Sequence, residues 1–246
     1  MPLQEEFEVQ GNFLFKYRSH FPNIILIAGI LVFYLGIKTG LDPFHGIYPY
    51  ICLAVSALGL IVRIITVGYT PANTSGRNTA NQVADTVNQL GIYSTVRHPL
   101  YVGNFLMYLG LAMLTHNIWF VIIYILVFYL YYERIMFAEE QFLRKKFGTQ
   151  YTEWASKTPA FWPRFSQFKK ADLYFSWRKI LKKEKNGLAA MFALFYIFFL
   201  LRNYIINGKI DFNLSFWMVS TILSLVLYLI LKYLKYNSNI LNEEGR

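Results

Sequence analysis

The 246-residue sequence has a single cysteine, Cys52, which lies inside an apolar run, so neither a disulfide framework nor a cysteine-rich metal centre can form within one chain. Its four histidines, His20, His45, His98 and His116, are scattered and no pair has ligand spacing, so no metal site is expected. Gly-rich phosphate loops, dinucleotide fingerprints and serine nucleophile elbows are missing too, which excludes soluble Rossmann-type methyltransferases and dehydrogenases. Charge is scarce: 15% of residues carry it, against 55% hydrophobic, and the mean hydropathy of +0.33 lies outside the globular range. Acidic residues are scarcest, 14 against 24 Lys and Arg, giving a net charge of +10. The basic residues cluster beside hydrophobic segments, where anionic lipid headgroups are the nearer partner, so nucleic acid is not expected. Met1 to Gln10 carries Glu5, Glu6 and Glu8 and lacks a basic start and a small-residue cleavage site, so the first apolar run is expected to be retained.

What is present is a set of long apolar runs. A span takes about 20 apolar residues, with about 17 tolerated, and six segments approach that: Pro22 to Ile37, Ile47 to Val67, Tyr101 to Thr115, Ile118 to Phe137, Leu188 to Ile206 and Phe212 to Leu234. The third and fourth are joined only by His116-Asn117, which makes Tyr101 to Phe137 a short antiparallel helical hairpin. The expected fold is all-α and polytopic, with 22 Phe, 19 Tyr and 5 Trp to populate the headgroup levels. Lys16, Arg18, Arg77, Arg97, the basic residues from Arg144 to Lys185, Lys232, Lys235 and Arg246 fall on one side, and only Lys38, Arg202 and Lys209 on the other. By the positive-inside rule both termini and the polar central region face the cytoplasm.

The chain divides into residues 1–90, two spans and a polar loop; 91–163, a cassette around the hairpin; 164–187, a basic aromatic stretch; and 188–246, two further spans and a tail. The polar loop, with Asn73, Gly76 to Thr79, Asn81 and Asn88, reads either as a cover packed over a site or as a solvated linker. Phe165 to Lys185 mixes aromatic and aliphatic residues with lysines and fits a helix lying in the headgroup plane. The tail from Asn237 is expected to be loose.

Within the cassette, Arg97-His98-Pro99 stands where a polar loop enters an apolar helix, with Pro99 suited to its first turn. Such a helix start attracts a carboxylate or phosphate, helped by Arg97; alternatively Arg97 and His98 anchor the helix by snorkelling. Glu139 and Glu140 read as the end of the fourth helix, where carboxylates oppose the macrodipole and call for a cation: Arg134, Arg144 or a cationic ligand. Glu140 pairing with Arg144 on a solvated helix end is the alternative. Arg63 lies inside the second span, a turn from its end, where it either meets a partner or snorkels.

Gly91-x-Tyr93-x-x-x-Arg97-His98-Pro99-x-Tyr101-x-Gly103, followed after the hairpin by Glu139-Glu140-x-x-Leu143-x-x-x-Phe147-Gly148-x-x-Tyr151 and then Pro159 and Pro163, resembles the isoprenylcysteine carboxyl methyltransferases, a family grouped with the phospholipid methyltransferases. The resemblance implies a membrane enzyme that takes S-adenosylmethionine from the cytosol and methylates a lipid-borne or prenylated carboxylate, amine or phosphate entering from the bilayer. By position, Tyr93, Arg97, His98, Tyr101 and Gly103 would line the cofactor pocket, with Glu139 and Glu140 closing it. Arg97, Arg134 and Glu140 are then the candidates for orienting the acceptor or taking its proton, Arg134 standing five residues before Glu139. Two rivals share the landmarks: a sterol-reductase-like enzyme using NADPH, and a non-catalytic lipid- or partner-binding protein of the same fold.

Overall fold

The structure, a computed structural model, describes residues 1–72, 74, 84–210 and 212–245. Asn73, Gly76 to Thr79 and Asn81 of the polar loop lie outside the described residues. The architecture is all-helical: α1 (Leu3–Tyr17), α2 (Phe21–Lys38), α3 (Tyr48–Gly68), α4 (Pro99–Met113), α5 (Ile118–Phe147), α6 (Thr149–Ala155), α7 (Trp177–Asn207) and α8 (Phe216–Asn237). Helices α2, α3, α5, α7 and α8 are long and apolar enough to cross a bilayer, and α4 is a shorter apolar helix. Their outward faces carry exposed aliphatic residues such as Ile27, Leu31, Leu126, Leu130, Leu223 and Leu229, as lipid contact requires of a multi-pass membrane protein.

Helices α3 and α4 form the closest pair. A Cβ on Gly59 would stand 2.5 Å from the Gly103 carbonyl oxygen, and one on Gly103 would stand 2.5 Å from Arg63 Cγ. Small residues let the two backbones touch, which substitutes packing and polar contact for the hydrophobic drive that lipid removes. The Ser56 hydroxyl donates across the seam to the Met107 carbonyl at 2.8 Å. The hairpin turn follows expectation: Asn117 caps α5 by accepting from the Phe120 N–H at 3.0 Å, and Tyr124 on α5 donates back to the Phe105 carbonyl at 2.7 Å.

Three expectations change. Helix α5 does not stop at Phe137 but runs to Phe147, where Gly148 at φ 54° ends it, so Glu139 and Glu140 sit two turns inside the helix rather than at its end. The last turn instead carries Arg144, Lys145 and Lys146, the charge sign the macrodipole favours. The basic stretch read as a separate in-plane helix becomes, from Trp177 onward, the first turns of α7. Ser176 caps that helix, and Lys179 Nζ caps the far side of the interface by donating to the Thr70 and Pro71 carbonyls at 2.6 and 3.1 Å. This ties the Lys179 face of α7 to the end of α3. The tail is docked: the Ala72 N–H donates to the Gly245 carbonyl at 3.0 Å, Lys182 Nζ donates to Asn242 Oδ1 at 2.8 Å, the Ser176 hydroxyl donates to the Glu243 carboxylate, and Leu241 is buried.

Arg63 has a partner. Its guanidinium makes a bidentate pair with Glu184 of α7 at 2.7 and 2.8 Å and donates to Asn104 Oδ1 at 2.6 Å. On the opposite side Arg202 pairs with Asp42, a hydrogen bond that holds the Asp42 carboxyl below its ordinary value against the effect of its partial burial.

Two outcomes follow for the detergent-purified protein. Gly59→Val should separate α3 from α4 and lower the unfolding midpoint by several degrees, since overpacking costs about 1–3 kcal/mol. Glu184→Ala leaves Arg63 buried without its carboxylate and should cost about 3–5 kcal/mol, whereas the paired replacement Arg63→Met with Glu184→Leu should recover most of it in the same melts.

Candidate active site

The approach to α4 is set by backbone pairing. The Arg97 and His98 N–H groups donate to the Pro159 and Ala160 carbonyls at 2.9 and 3.1 Å, and the Arg164 N–H returns to the Thr95 carbonyl at 2.9 Å. Further out, Gly91 pairs with Lys169 as an isolated antiparallel bridge. The loop after α6 is thus fastened alongside residues 95–98, and Pro99 begins α4 at once. Pro159 and Pro163, quoted from the sequence as landmarks, flank this paired segment.

The fastening aims Arg97 and His98 at the carboxylates of α5. Arg97 Nε and Nη2 donate to the two oxygens of Glu140 at 2.9 and 3.2 Å, and Nη1 donates to the Ala155 and Thr158 carbonyls at 2.6 and 2.9 Å. Four of its five N–H groups are therefore engaged. One guanidinium ties the start of α4 to α5 and to the end of α6.

His98 is buried at 8% exposure between both carboxylates, with Nε2 3.0 Å from Glu140 Oε1 and Nδ1 3.4 Å from Glu139 Oε2. Burial alone would push its pKa down, but the hydrogen bonds and charges of Glu139 and Glu140 prevail and hold it above the ordinary histidine value of 6.5. The Tyr101 hydroxyl donates to Glu139 Oε1 at 2.8 Å, its ring stacking on His98 at 5.7 Å and lying 4.7 Å from Tyr132. Burial and the Glu139 charge push the Tyr93 phenol upward, against a hydrogen bond to Asn88 that lowers it. The structure therefore gathers Tyr93, Arg97, His98, Tyr101, Glu139 and Glu140 into one cluster, and the partner of Glu140 is Arg97 with His98.

Two expected members lie elsewhere. Gly103 faces α3, in contact with Gly59 and Arg63, because a seam this tight admits no side chain there. Arg134 turns outward to Glu133 at 3.1 Å and lies over the Phe7 ring of α1 at 3.4 Å from its centroid, since the α1 helix covers that face of α5. Sequence reasoning missed Glu184 and Asn104, the partners of Arg63. The available signal was one acidic residue among Lys182, Lys183 and Lys185. It also missed Trp154, whose buried Nε1 has no hydrogen-bond partner among the described residues.

Helices α3, α4 and α5, with the site they build, coincide with a matching stretch. Residues 51–150 match the phospholipid methyltransferase family. The resemblance carried by the two halves of the motif is thereby shown. Three curated proteins illustrate the range of relatives: the nickel-cobalt-cadmium resistance protein NccN of Alcaligenes xylosoxydans xylosoxydans, 34% identical over 51% of this chain and 57% of its own length; the cobalt-zinc-cadmium resistance protein CzcN of Cupriavidus metallidurans, 40% identical over 32% of this chain and 36% of its own; and the protein-S-isoprenylcysteine O-methyltransferase of Schizosaccharomyces pombe, 37% identical over 28% of this chain and 30% of its own. The chain thus spans between about a third and just over half of these relatives. No solved structure matches it. Although two of these names refer to metal resistance, no group of three His, Cys, Asp or Glu side chains is placed to hold an ion among the described residues.

A histidine whose pKa is raised in the fold contributes stability that is fully present below its unfolded value and is lost as pH rises through the folded one. The stability advantage of the wild type over His98→Gln should therefore shrink as pH is raised from about 6 to about 9. Thermal melts across that range provide the check, and a constant difference would mean that His98 is not an imidazolium.

Proposed function

We propose that the chain is an integral membrane methyltransferase that uses S-adenosylmethionine and acts on a lipid-borne acceptor at the cytoplasmic face. The observation that carries this reading is the carboxylate pair of α5 set against the entrance of α4 within the family-matching segment. The two carboxylates are not equivalent. Glu140 is neutralised by Arg97 and His98 together, whereas Glu139, about equally exposed, keeps the Tyr101 hydroxyl and only the longer His98 contact.

The residues present suit the cofactor: a partly open carboxylate beside the rings of Tyr101, Tyr132 and His98 is a surface for a cation, and the unpartnered Trp154 Nε1 is a donor awaiting an acceptor. When bound, S-adenosylmethionine supplies a methyl group on a sulfonium, a good leaving group, so the protein's work is alignment and the exclusion of water. We assign Glu139 and Tyr93 to contact with the cationic part of the cofactor and Arg97 to holding Glu140 in place, since its donors are already engaged. An acceptor carboxylate or phosphate would need no base. An amine would have to lose a proton first, and Glu139 is then the better recipient, because Glu140 is held ionised by two cations.

An apolar cavity of about 320 Å³ between α2, α4 and α7, lined by Leu26, Gly29, Tyr108, Leu111, Ala190 and Leu194 among others, offers room for a hydrocarbon chain of the acceptor. The cytoplasmic orientation rests on the placement of Lys and Arg, with Arg202 on the opposite side already paired to Asp42. Nothing among the relatives favours the NADPH alternative.

Calorimetric titration of the detergent-purified chain with S-adenosylhomocysteine, paired with NADPH, tests the reading. S-adenosylhomocysteine should bind and NADPH should not, and Glu139→Gln should weaken the former about tenfold, equivalent to about 1.4 kcal/mol, without altering the melt as much as Arg97→Gln does. Binding of NADPH alone would replace this proposal with the reductase, and silence from both would leave a non-catalytic protein of the same fold.

A further inference from the structure

Between α6 and α7 the chain turns aromatic rings away from the bundle. Trp162 is 66% exposed, Phe165 76% and Phe168 61%, although such side chains gain most from burial. The level at which they stand follows from the packing of their neighbour. Phe161 is buried in the groove between α4 and α5, its ring 5.7 Å from Phe105, 6.4 Å from Phe128 and 6.2 Å from Tyr129. Phe105 lies about 9 Å along α4 from Pro99, and Phe128 about 16 Å along α5 from Glu139. Both helices therefore place Phe161 within their apolar runs, deeper than the ion cluster. Trp162 stands beside it, 5.3 Å from Phe161 and 6.4 Å from Phe105, with its ring outward. Tyr129, which meets Phe161, is itself part-exposed and lies one turn from Leu126 on the lipid-facing side of α5.

The backbone makes the same descent. The Pro159 and Ala160 carbonyls are paired to the Arg97 and His98 N–H groups, and the Arg164 N–H is paired back to Thr95. Phe161-Trp162-Pro163 is thus the tip of a turn whose two ends are held at the start of α4. Non-helical backbone at membrane depth is tolerated where protein satisfies its polar groups, and Pro163 has no N–H to leave unpaired. Beyond the tip, a single 3-10 turn, Phe165–Gln167, leads to Phe168. The exposed charges along this stretch are Arg164, Lys169 and Lys170 against one acidic residue, Asp172.

We infer that residues 161–168 form a re-entrant lipid anchor. Trp162 seats among the acyl chains on the side of the bilayer that carries the cluster, and Phe165 and Phe168, with Arg164, Lys169 and Lys170, lie in the anionic headgroup layer above it. The descent past the ion cluster and the continuity with the outer face of α5 assign these rings to lipid rather than to a protein partner. The Thr158, Pro159 and Ala160 carbonyls that hold Arg97 and His98 come just before Trp162, so the bilayer steadies the cluster from outside the bundle. The anchor does not depend on the chemistry proposed for that cluster.

The full chain carrying Cys52→Ala, reconstituted in nanodiscs of phosphatidylcholine and phosphatidylglycerol, receives one nitroxide at a time through Trp162→Cys, Phe165→Cys, Leu126→Cys or Glu153→Cys. Collisions with oxygen and with a neutral nickel chelate then report apolar against aqueous access. The oxygen-to-chelate ratio at position 162 should match that at position 126 and exceed that at position 153, exposed on α6, by about tenfold or more, because a polar chelate is excluded from hydrocarbon. The ratio at position 165 should fall between the two. Should Trp162→Cys fail to fold, the tryptophan emission lost on Trp162→Phe should be quenched by lipid brominated on its acyl chains and not by aqueous acrylamide. Chelate access at position 162 equal to that at position 153, or acrylamide quenching of the Trp162 emission, would return the segment to water. Shielding of position 162 from both reagents would give it to a protein partner or a second copy. Any of these results would overturn the anchor.

Discussion

A carboxylate at the edge of a bilayer needs counter-charge, and the arrangement of the central part of this chain follows from how Glu140 obtains it. Arg97 and His98 reach Glu140 only because the segment from Pro159 to Arg164 is laid alongside residues 95–98. That in turn fixes the point at which α4 begins and leaves the end of α6 close enough for the Ala155 and Thr158 carbonyls to accept from Arg97 Nη1. Two stretches distant in sequence, residues 95–98 and 140–164, are brought to one point by a single ion cluster. Its hydrogen bonds are charge-assisted, about twice as strong as neutral ones.

A second buried charge repeats this logic deeper in the bundle. Arg63 is half of a bidentate pair with Glu184, and the pair crosses from α3 to α7 beside the contact where α3 and α4 touch backbone to backbone. Asn104, adjacent to Gly103 on α4, takes the third donor of Arg63. The helix that carries the first cluster at its start is therefore also held along its length, and the two ionic groups share α4 as a common strut.

Much of this was legible in the sequence, for identifiable reasons. The spans were visible because lipid demands uninterrupted apolar runs, and the hairpin because His116-Asn117 leaves room for nothing else. Arg97, His98, Tyr101, Glu139 and Glu140 could be grouped because polar residues of fixed spacing are conspicuous against an apolar background. What escaped was three-dimensional pairing. Glu184 sat among lysines and looked like part of a charged face, although one bidentate partner turns that face inward. Gly103 stood inside the motif and was read with it, yet a glycine can serve a motif through the helix behind it. Arg134 was placed by counting along α5, whereas α1 covers that side of the helix. The length of α5 was misjudged because hydropathy ends at Phe137 while the hydrogen-bonded helix does not. The tail was thought loose on composition alone, and its contacts are made by a handful of residues that no periodicity announces.

That Glu139 and Glu140 ride two turns from the end of a continuous thirty-residue helix has a further meaning. Each residue added to an α-helix turns all that follows by about 100° and advances it by about 1.5 Å. One residue inserted or lost between Asn117 and Glu139 would swing both carboxylates away from His98 as a key is turned in a lock. Helix α5 works as a shaft whose phase is fixed at the hairpin turn. Its residue count is itself part of the chemistry.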